Sequence, residues 1–175
     1  MNIFYSGFSL ENDKVFFEAF IDKSQYNIAG FSYGAIKAFE DALQRVRSGK
    51  RVDRLQLLSP AFFQTQSPKF KKLQLYGFTK DRENYIQQFL QLCFKPYNID
   101  SRVKNKVATK EELSELLYHT WSESDLTALK SKGVVIEVYL GGRDAIVDAD
   151  AAKEFFLPFG TVTYIKDANH FLQTK

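Results

Sequence analysis

The 175-residue chain is poor in the residues that build metal centres and covalent cross-links: it has one cysteine, Cys93, and two histidines, His119 and His170. A single cysteine excludes an internal disulfide, and so few thiols and imidazoles leave no cluster with zinc-ligand spacing. No apolar run approaches the roughly 20 residues that span a bilayer, and no glycine-rich loop ending in lysine offers to cradle a phosphate. No cofactor is expected, and neither a membrane nor a nucleic acid is expected as a partner. Residues 1–5 run straight into strand-like sequence without the basic flank of a signal peptide, so the cytoplasm is the expected compartment.

What the chain does have is aromatic bulk. It carries 17 Phe and nine Tyr within 45% hydrophobic and 26% charged residues, the balance of one soluble domain with a self-sufficient core. Few of the rings sit beside basic residues in a repeating pattern, so they read as core filling and a greasy pocket rather than a base-stacking platform. The net charge of +3 hides an asymmetry. Residues 66–110 hold ten Lys or Arg against Asp81, Glu83 and Asp100, whereas the remainder is acidic by four. That segment would steer an acidic partner, or simply be a solvated insertion.

Hydrophobic periodicity gives an alternation. Strands are predicted at 1–6, 26–29, 54–58, 134–140 and 161–165, and helices at 13–20 (capped by Asn12 or Asp13), 35–47, 125–132 and 149–157. Between the third and fourth strands, 62–124 reads as a helical insertion with helices at 70–78, 82–94 and 110–121 and no strand of comparable strength. The fold class is α/β, with about five parallel strands; residues 1–61 and 125–175 form the core and 62–124 a helical cap, within a single domain.

One stretch carries chemistry. Gly30-Phe31-Ser32-Tyr33-Gly34 lies between a predicted strand and a predicted helix, the setting of a G-x-S-x-G nucleophile elbow in which a sharp turn lifts the serine hydroxyl above the sheet. Glycine is needed on both sides because side chains there would strike the neighbouring strand and helix. A serine hydroxyl needs a histidine to take its proton and a carboxylate to orient that histidine. His170 follows the last strand and is the candidate base, while His119, beside Trp121 in a predicted helix, reads as a packing or surface residue. Asp144 follows the strongest strand through Gly141-Gly142-Arg143 and is the candidate acid; Asp148 and Asp150 can cap the next helix, and Asp167 lies close to the histidine in sequence. The oxyanion donors expected are the backbone N–H groups of Tyr33 and, in the Ser6-Gly7-Phe8-Ser9 loop, of Phe8.

The elbow, Gly141-Gly142-Arg143-Asp144 and Asn169-His170 resemble the α/β-hydrolase superfamily, with Ser6-Gly7-Phe8 where many members have His-Gly-Trp or His-Gly-Phe. More narrowly, Phe4-Tyr5-Ser6-Gly7-Phe8, Gly34-Ala35-Ile36-Lys37-Ala38, Phe70-Lys71-Lys72-Leu73-Gln74-Leu75, Ile136-Glu137-Val138 and Asn169-His170 resemble the short pimeloyl-[acyl-carrier protein] methyl ester esterases of biotin synthesis. The resemblance implies a minimal α/β-hydrolase, because only 22 residues separate Gly7 from Gly30, where most members fit a further strand and helix. It implies a serine esterase that releases methanol from the pimeloyl ester on an acidic acyl carrier protein, with Lys69, Lys71, Lys72, Lys80, Arg82, Lys104 and Lys106 as carrier-docking candidates. Another acyl esterase or thioesterase, and a non-catalytic α/β module that binds an acidic protein, are the alternatives.

Overall fold

A computed structural model describes residues 2–175; Met1, the first residue of the expected opening strand, lies outside the described residues. In chain order the elements are β1 (Ile3–Tyr5), β2 (Leu10–Glu11), a short 3₁₀ helix (Asp13–Phe16), β3 (Asn27–Phe31), α1 (Tyr33–Arg47), β4 (Arg54–Leu58), α2 (Pro68–Lys80), α3 (Arg82–Phe94), β5 (Lys104–Asn105), α4 (Lys110–Tyr118), α5 (Glu123–Ser131), β6 (Val135–Gly141), α6 (Ala149–Phe156) and β7 (Thr161–Ile165). Five strands form a parallel sheet in the order β1-β3-β4-β6-β7. The strand order runs one way; whereas the β1–β3 connection crosses one face, right-handed crossovers place α1, α5 and α6 on the other. There Ile28, Leu55, Leu57, Ile136 and Val138 meet them in one apolar cluster.

The opposite face, formed by Ala29, Phe31 and Leu58, packs on Phe17, Phe94, Phe171 and Cys93. Each buried Leu or Phe contributes about 1.5–3 kcal/mol. Farther down this face lies buried Gln56, its hydrogen-bonding capacity fully used. Its Oε1 accepts from Asp22 N–H and Asn27 Nδ2, both at 2.8 Å, and its Nε2 donates to Phe20 O (2.8 Å) and Glu137 Oε2 (2.9 Å). These bonds hold residues 20–22 across the sheet where no helix covers it.

Two expectations need correction. Residues 13–20 do not form an α-helix: only Asp13–Phe16 is regular, and as 3₁₀. The rings of Phe16 and Phe17 both pack against Phe171, whereas that of Phe20 lies against Tyr139, and Asn12, at φ 57°, makes no side-chain cap. The segment 62–124 holds no strand comparable to those of the sheet among the described residues; its two-residue β5 pairs antiparallel with β2. The helix expected over 110–121 stops at Tyr118; His119 turns extended, and Trp121 swings inward so that its Nε1–H donates to Ala61 O (2.9 Å). No helix among the described residues is long and apolar enough to cross a membrane.

Candidate active site

β3 runs straight into Ser32, which is held at φ 55° and ψ −114° before α1 begins. A non-glycine residue at positive φ is strained, and the neighbouring glycines show what enforces it. A Cβ on Gly30 would lie 2.1 Å from Gly34 O, and one on Gly34 would lie 2.0 Å from Tyr5 O. Ser32 N–H donates to Leu58 O (2.9 Å) and Ser32 O accepts from Ala61 N–H (3.1 Å), so β4 grips the turn from its other side. Ser32 occupies the N-cap position of α1 but makes no side-chain cap.

Its hydroxyl goes elsewhere. Ser32 Oγ–H donates to His170 Nε2 (3.0 Å), and His170 Nδ1–H donates to Asp144 Oδ2 (2.6 Å); these partners assign the histidine tautomer. The side chains of His170 and Asp144 are wholly buried. The second oxygen of Asp144 accepts from the N–H groups of Ile146 (2.7 Å) and Val147 (2.9 Å), so three donors converge on one carboxylate. Gly141 and Gly142 let the two carrying loops cross closely, since a Cβ on either would lie 2.4 Å from the carbonyl oxygen of Ala168 or Lys166 respectively. Beneath the imidazole lies the Phe31 ring, 5.0 Å between centroids.

The rival residues stand apart from this chain of bonds. Asp148 caps α6 through Ala151 N–H (3.0 Å), Asp150 is exposed within α6, and Asp167 pairs with Arg143. His119 packs edge-on against Trp121, and burial holds its imidazole below the ordinary pKa. No group of His, Cys, Asp and Glu among the described residues could hold a metal ion.

Tyr33 opens α1, so its N–H has no acceptor within the helix, and its hydroxyl donates to Glu115 on α4 (2.7 Å). Phe8 is buried and packs against Phe78 and Phe89. Together with Ser32 it lines a cavity of about 290 Å³ whose other walls include Phe63, Phe89, Leu113 and Ile146. The polar features of this cavity are Gln88 and a pair, Tyr85 O–H donating to Gln74 Oε1 (2.9 Å). Burial pushes the Tyr85 hydroxyl up to about 12, which keeps it a donor.

The seven basic candidates lie on different elements. Lys69, Lys71, Lys72 and Lys80 lie on α2 and Arg82 begins α3, whereas Lys104 and Lys106 belong to the β5 segment tied to the loop after β1. Lys71 sits 5.2 Å from the Tyr118 ring and Arg82 5.1 Å from that of Phe78.

No protein-family model and no curated protein matches the chain in sequence. Solved structures match it in shape. Naproxen esterase (carboxylesterase NP) from Bacillus subtilis superposes with a TM-score of 0.65 at 16% identity, over 99% of this chain and 78% of that one. Carboxylesterase CesB from Bacillus subtilis gives 0.61 at 15%, over 99% and 78%, and BioG from Haemophilus influenzae 0.59 at 13%, over 98% and 88%. The chain has the α/β-hydrolase fold. Five parallel strands make it a minimal version, as the short spacing between Gly7 and Gly30 implied.

Two supports of the site went unread in the sequence. Asn169 fixes the histidine loop, its Nδ2 donating to Phe94 O (2.9 Å) and its Oδ1 accepting from Gln173 N–H (3.0 Å). Asp13, expected at most to cap a helix, is buried and accepts from Gly7 N–H (2.8 Å). Neither has a local sequence signal, because each partner is set by the tertiary fold.

Proposed function

We propose that the chain is a serine carboxylic-ester hydrolase. The observation that carries this reading is the buried hydrogen-bonded chain Ser32–His170–Asp144, with Ser32 on a strained turn opening into an apolar cavity. In this reading His170 Nε2 takes the Ser32 proton as Oγ attacks the ester carbonyl. The N–H groups of Tyr33 and Phe8 hold the oxyanion, and His170 returns the proton to the departing alkoxide. Water, activated by the same imidazole, then cleaves the acyl-enzyme. Asp144 orients the ring and stabilises its charged form.

The substrate proposed is the methyl ester of pimeloyl-[acyl-carrier protein], giving pimeloyl-carrier and methanol. The resemblance of the motifs supports it, and so do an apolar cavity suited to an alkyl chain and the solvent face of α2. That face presents Lys69, Lys72 and Lys80 together with exposed Leu73 (56%) and Tyr76 (63%), and none of the seven basic candidates is in an ion pair among the described residues. Unpaired cations around an apolar centre suit an acidic carrier. Residues 62–124 serve as a cap over the core formed by 1–61 and 125–175.

Hydrolysis of the carrier-linked methyl ester, wild type against Ser32→Ala, tests the reading; retained activity in the variant overturns it. A less selective carboxylesterase is the second reading, favoured by the aromatic walls at Phe63 and Phe89. Comparable kcat/KM on free p-nitrophenyl butyrate and on the carrier-linked ester would support it.

A further inference from the structure

Asp13 is a buried carboxylate outside the Ser32–His170–Asp144 chain, only 1% exposed. Oδ2 accepts from Gly7 N–H, whereas Oδ1 is buried and has no hydrogen-bond partner among the described residues. Burial pushes the carboxyl up, more than the neighbouring Ser6 hydroxyl and the Gly7 N–H pull it down. Burying a carboxylate is costly, which neither packing nor helix capping explains here: the carboxylate reaches toward the loop after β1.

That loop carries Phe8. Gly7 O accepts from Leu10 N–H (3.2 Å), so the carbonyl half of the Gly7–Phe8 peptide is held toward the turn. In a planar trans peptide the N–H points opposite to the C=O, and Phe8 N–H is therefore directed away from the turn. Glycine by itself would leave this plane free to rotate. Asp13 removes that freedom by gripping Gly7 on its amide side while Leu10 grips it on its carbonyl side. The loop is further pinned from the helical segment, where Ser9 Oγ–H donates to Lys106 O (2.7 Å) and Lys106 N–H to Ser9 O (2.8 Å).

We infer that Asp13 is a positioning residue for the oxyanion hole: its carboxylate clamps Gly7 so that Phe8 N–H stays aimed where negative charge develops on the substrate oxygen. The inference rests on the esterase reading above. Asp13 touches no substrate, and it is the acceptor atom that matters, because one carbonyl oxygen suffices to hold the Gly7 N–H.

The test compares wild type, Asp13→Ala and Asp13→Asn on p-nitrophenyl butyrate, with affinity for a trifluoromethyl ketone, whose adduct with serine carries an oxyanion, measured alongside. Loss of one complete oxyanion donor costs about 10²–10³-fold in kcat. A loosened donor in Asp13→Ala should lower kcat by about 10–100-fold with KM within about 2-fold, and weaken the ketone in parallel. Asp13→Asn should recover kcat to within about 3-fold of wild type, since its amide oxygen still accepts. Wild-type kcat and ketone affinity in Asp13→Ala, or a loss in Asp13→Asn above about 10-fold, overturns the inference. If Asp13→Ala does not fold, Asp13→Asn decides alone. A wild-type protein that neither hydrolyses the ester nor reacts with a fluorophosphonate sinks the esterase reading itself, an outcome distinct from both.

Discussion

The sheet and the helical segment 62–124 both surround Ser32, and they hold their side chains by different means. Around the sheet, close backbone approaches set the turns that carry Ser32 and Asp144: glycines at 30, 34, 141 and 142 allow contacts that any Cβ would block, and each arginine of 1–61 and 125–175 has an acidic partner. Apart from the backbone ribbon of β2 and β5, the helical segment meets the rest of the chain through side chains, by aromatic contacts such as Phe8–Phe89 and by ties from Tyr33 to Glu115 and from Trp121 to Ala61. Its basic residues, Arg102 excepted, form no ion pair among the described residues. Backbone-determined geometry tolerates no substitution and suits chemistry. Side-chain contacts can be retuned, as suits selecting what reaches the serine.

The sharpest way to break this division is at the serine. Ser32→Ala should lower kcat at least ~10⁴-fold and abolish fluorophosphonate labelling while leaving the melting temperature near wild type; circular dichroism and turnover measured together check both halves. Asp144→Asn should cost about 10²–10⁴-fold in kcat, because the N–H groups of Ile146 and Val147 hold the amide oxygen and leave its NH₂ facing Nδ1, which disfavours the Nδ1-protonated tautomer. Gly34→Ala probes the backbone side of the comparison. Its Cβ would fall 2.0 Å from Tyr5 O and 2.5 Å from Ser6 O, so a loss of about 3 kcal/mol, a fall of about 10 °C in Tm, is expected by calorimetry. A Gly34→Ala protein with wild-type Tm would mean that the turn yields more readily than its contacts imply.

The helical segment should answer differently. Lys69→Glu, Lys72→Glu and Lys80→Glu combined remove no ion pair and should barely change Tm, yet raise KM for a carrier-linked ester about 10-fold at low salt and leave p-nitrophenyl butyrate unaffected. An equal response of both substrates would remove the carrier from the picture.

Sequence reasoning reached the two regions unequally. The five strands were legible because buried parallel strands are apolar runs bounded by turn residues, and β4 and β7 fall where the pattern places them. Ser32, His170 and Asp144 were legible because strand-end loops of a parallel sheet converge at one edge, which turns order along the chain into proximity. Residues 13–20 were not. Their Phe spacing suits a helix, but tertiary packing draws Phe16 and Phe17 together onto Phe171 and Phe20 onto Tyr139, and Asp13 serves a loop six residues earlier. The β2–β5 ribbon was hidden for a related reason: two-residue strands carry no periodicity, and their pairing spans more than 90 residues. Gln56 likewise gave no sign that a polar residue in mid-strand would be wholly satisfied by Asp22, Asn27, Phe20 and Glu137.

The smallest effect concerns the tie between the two regions. Glu115 on α4 accepts from the Tyr33 hydroxyl and pairs with Lys37 on α1. Burial pushes its carboxyl up, but the Lys37 ammonium and Tyr33 hydroxyl pull it down by more, so it lies below the ordinary carboxylate value of 4.5. A group whose pKa is depressed on folding adds stability above its unfolded pKa and loses it as pH falls through the folded one. The side chain is 39% exposed, so screening keeps the contribution within about 0.2–1 kcal/mol. Glu115→Gln should therefore melt about 1–3 °C below wild type at pH 7, and the gap should close as the pH falls below the ordinary carboxylate value. A gap that persists unchanged in acid would mean that the carboxylate's charge plays no part in joining the helical segment to the serine turn.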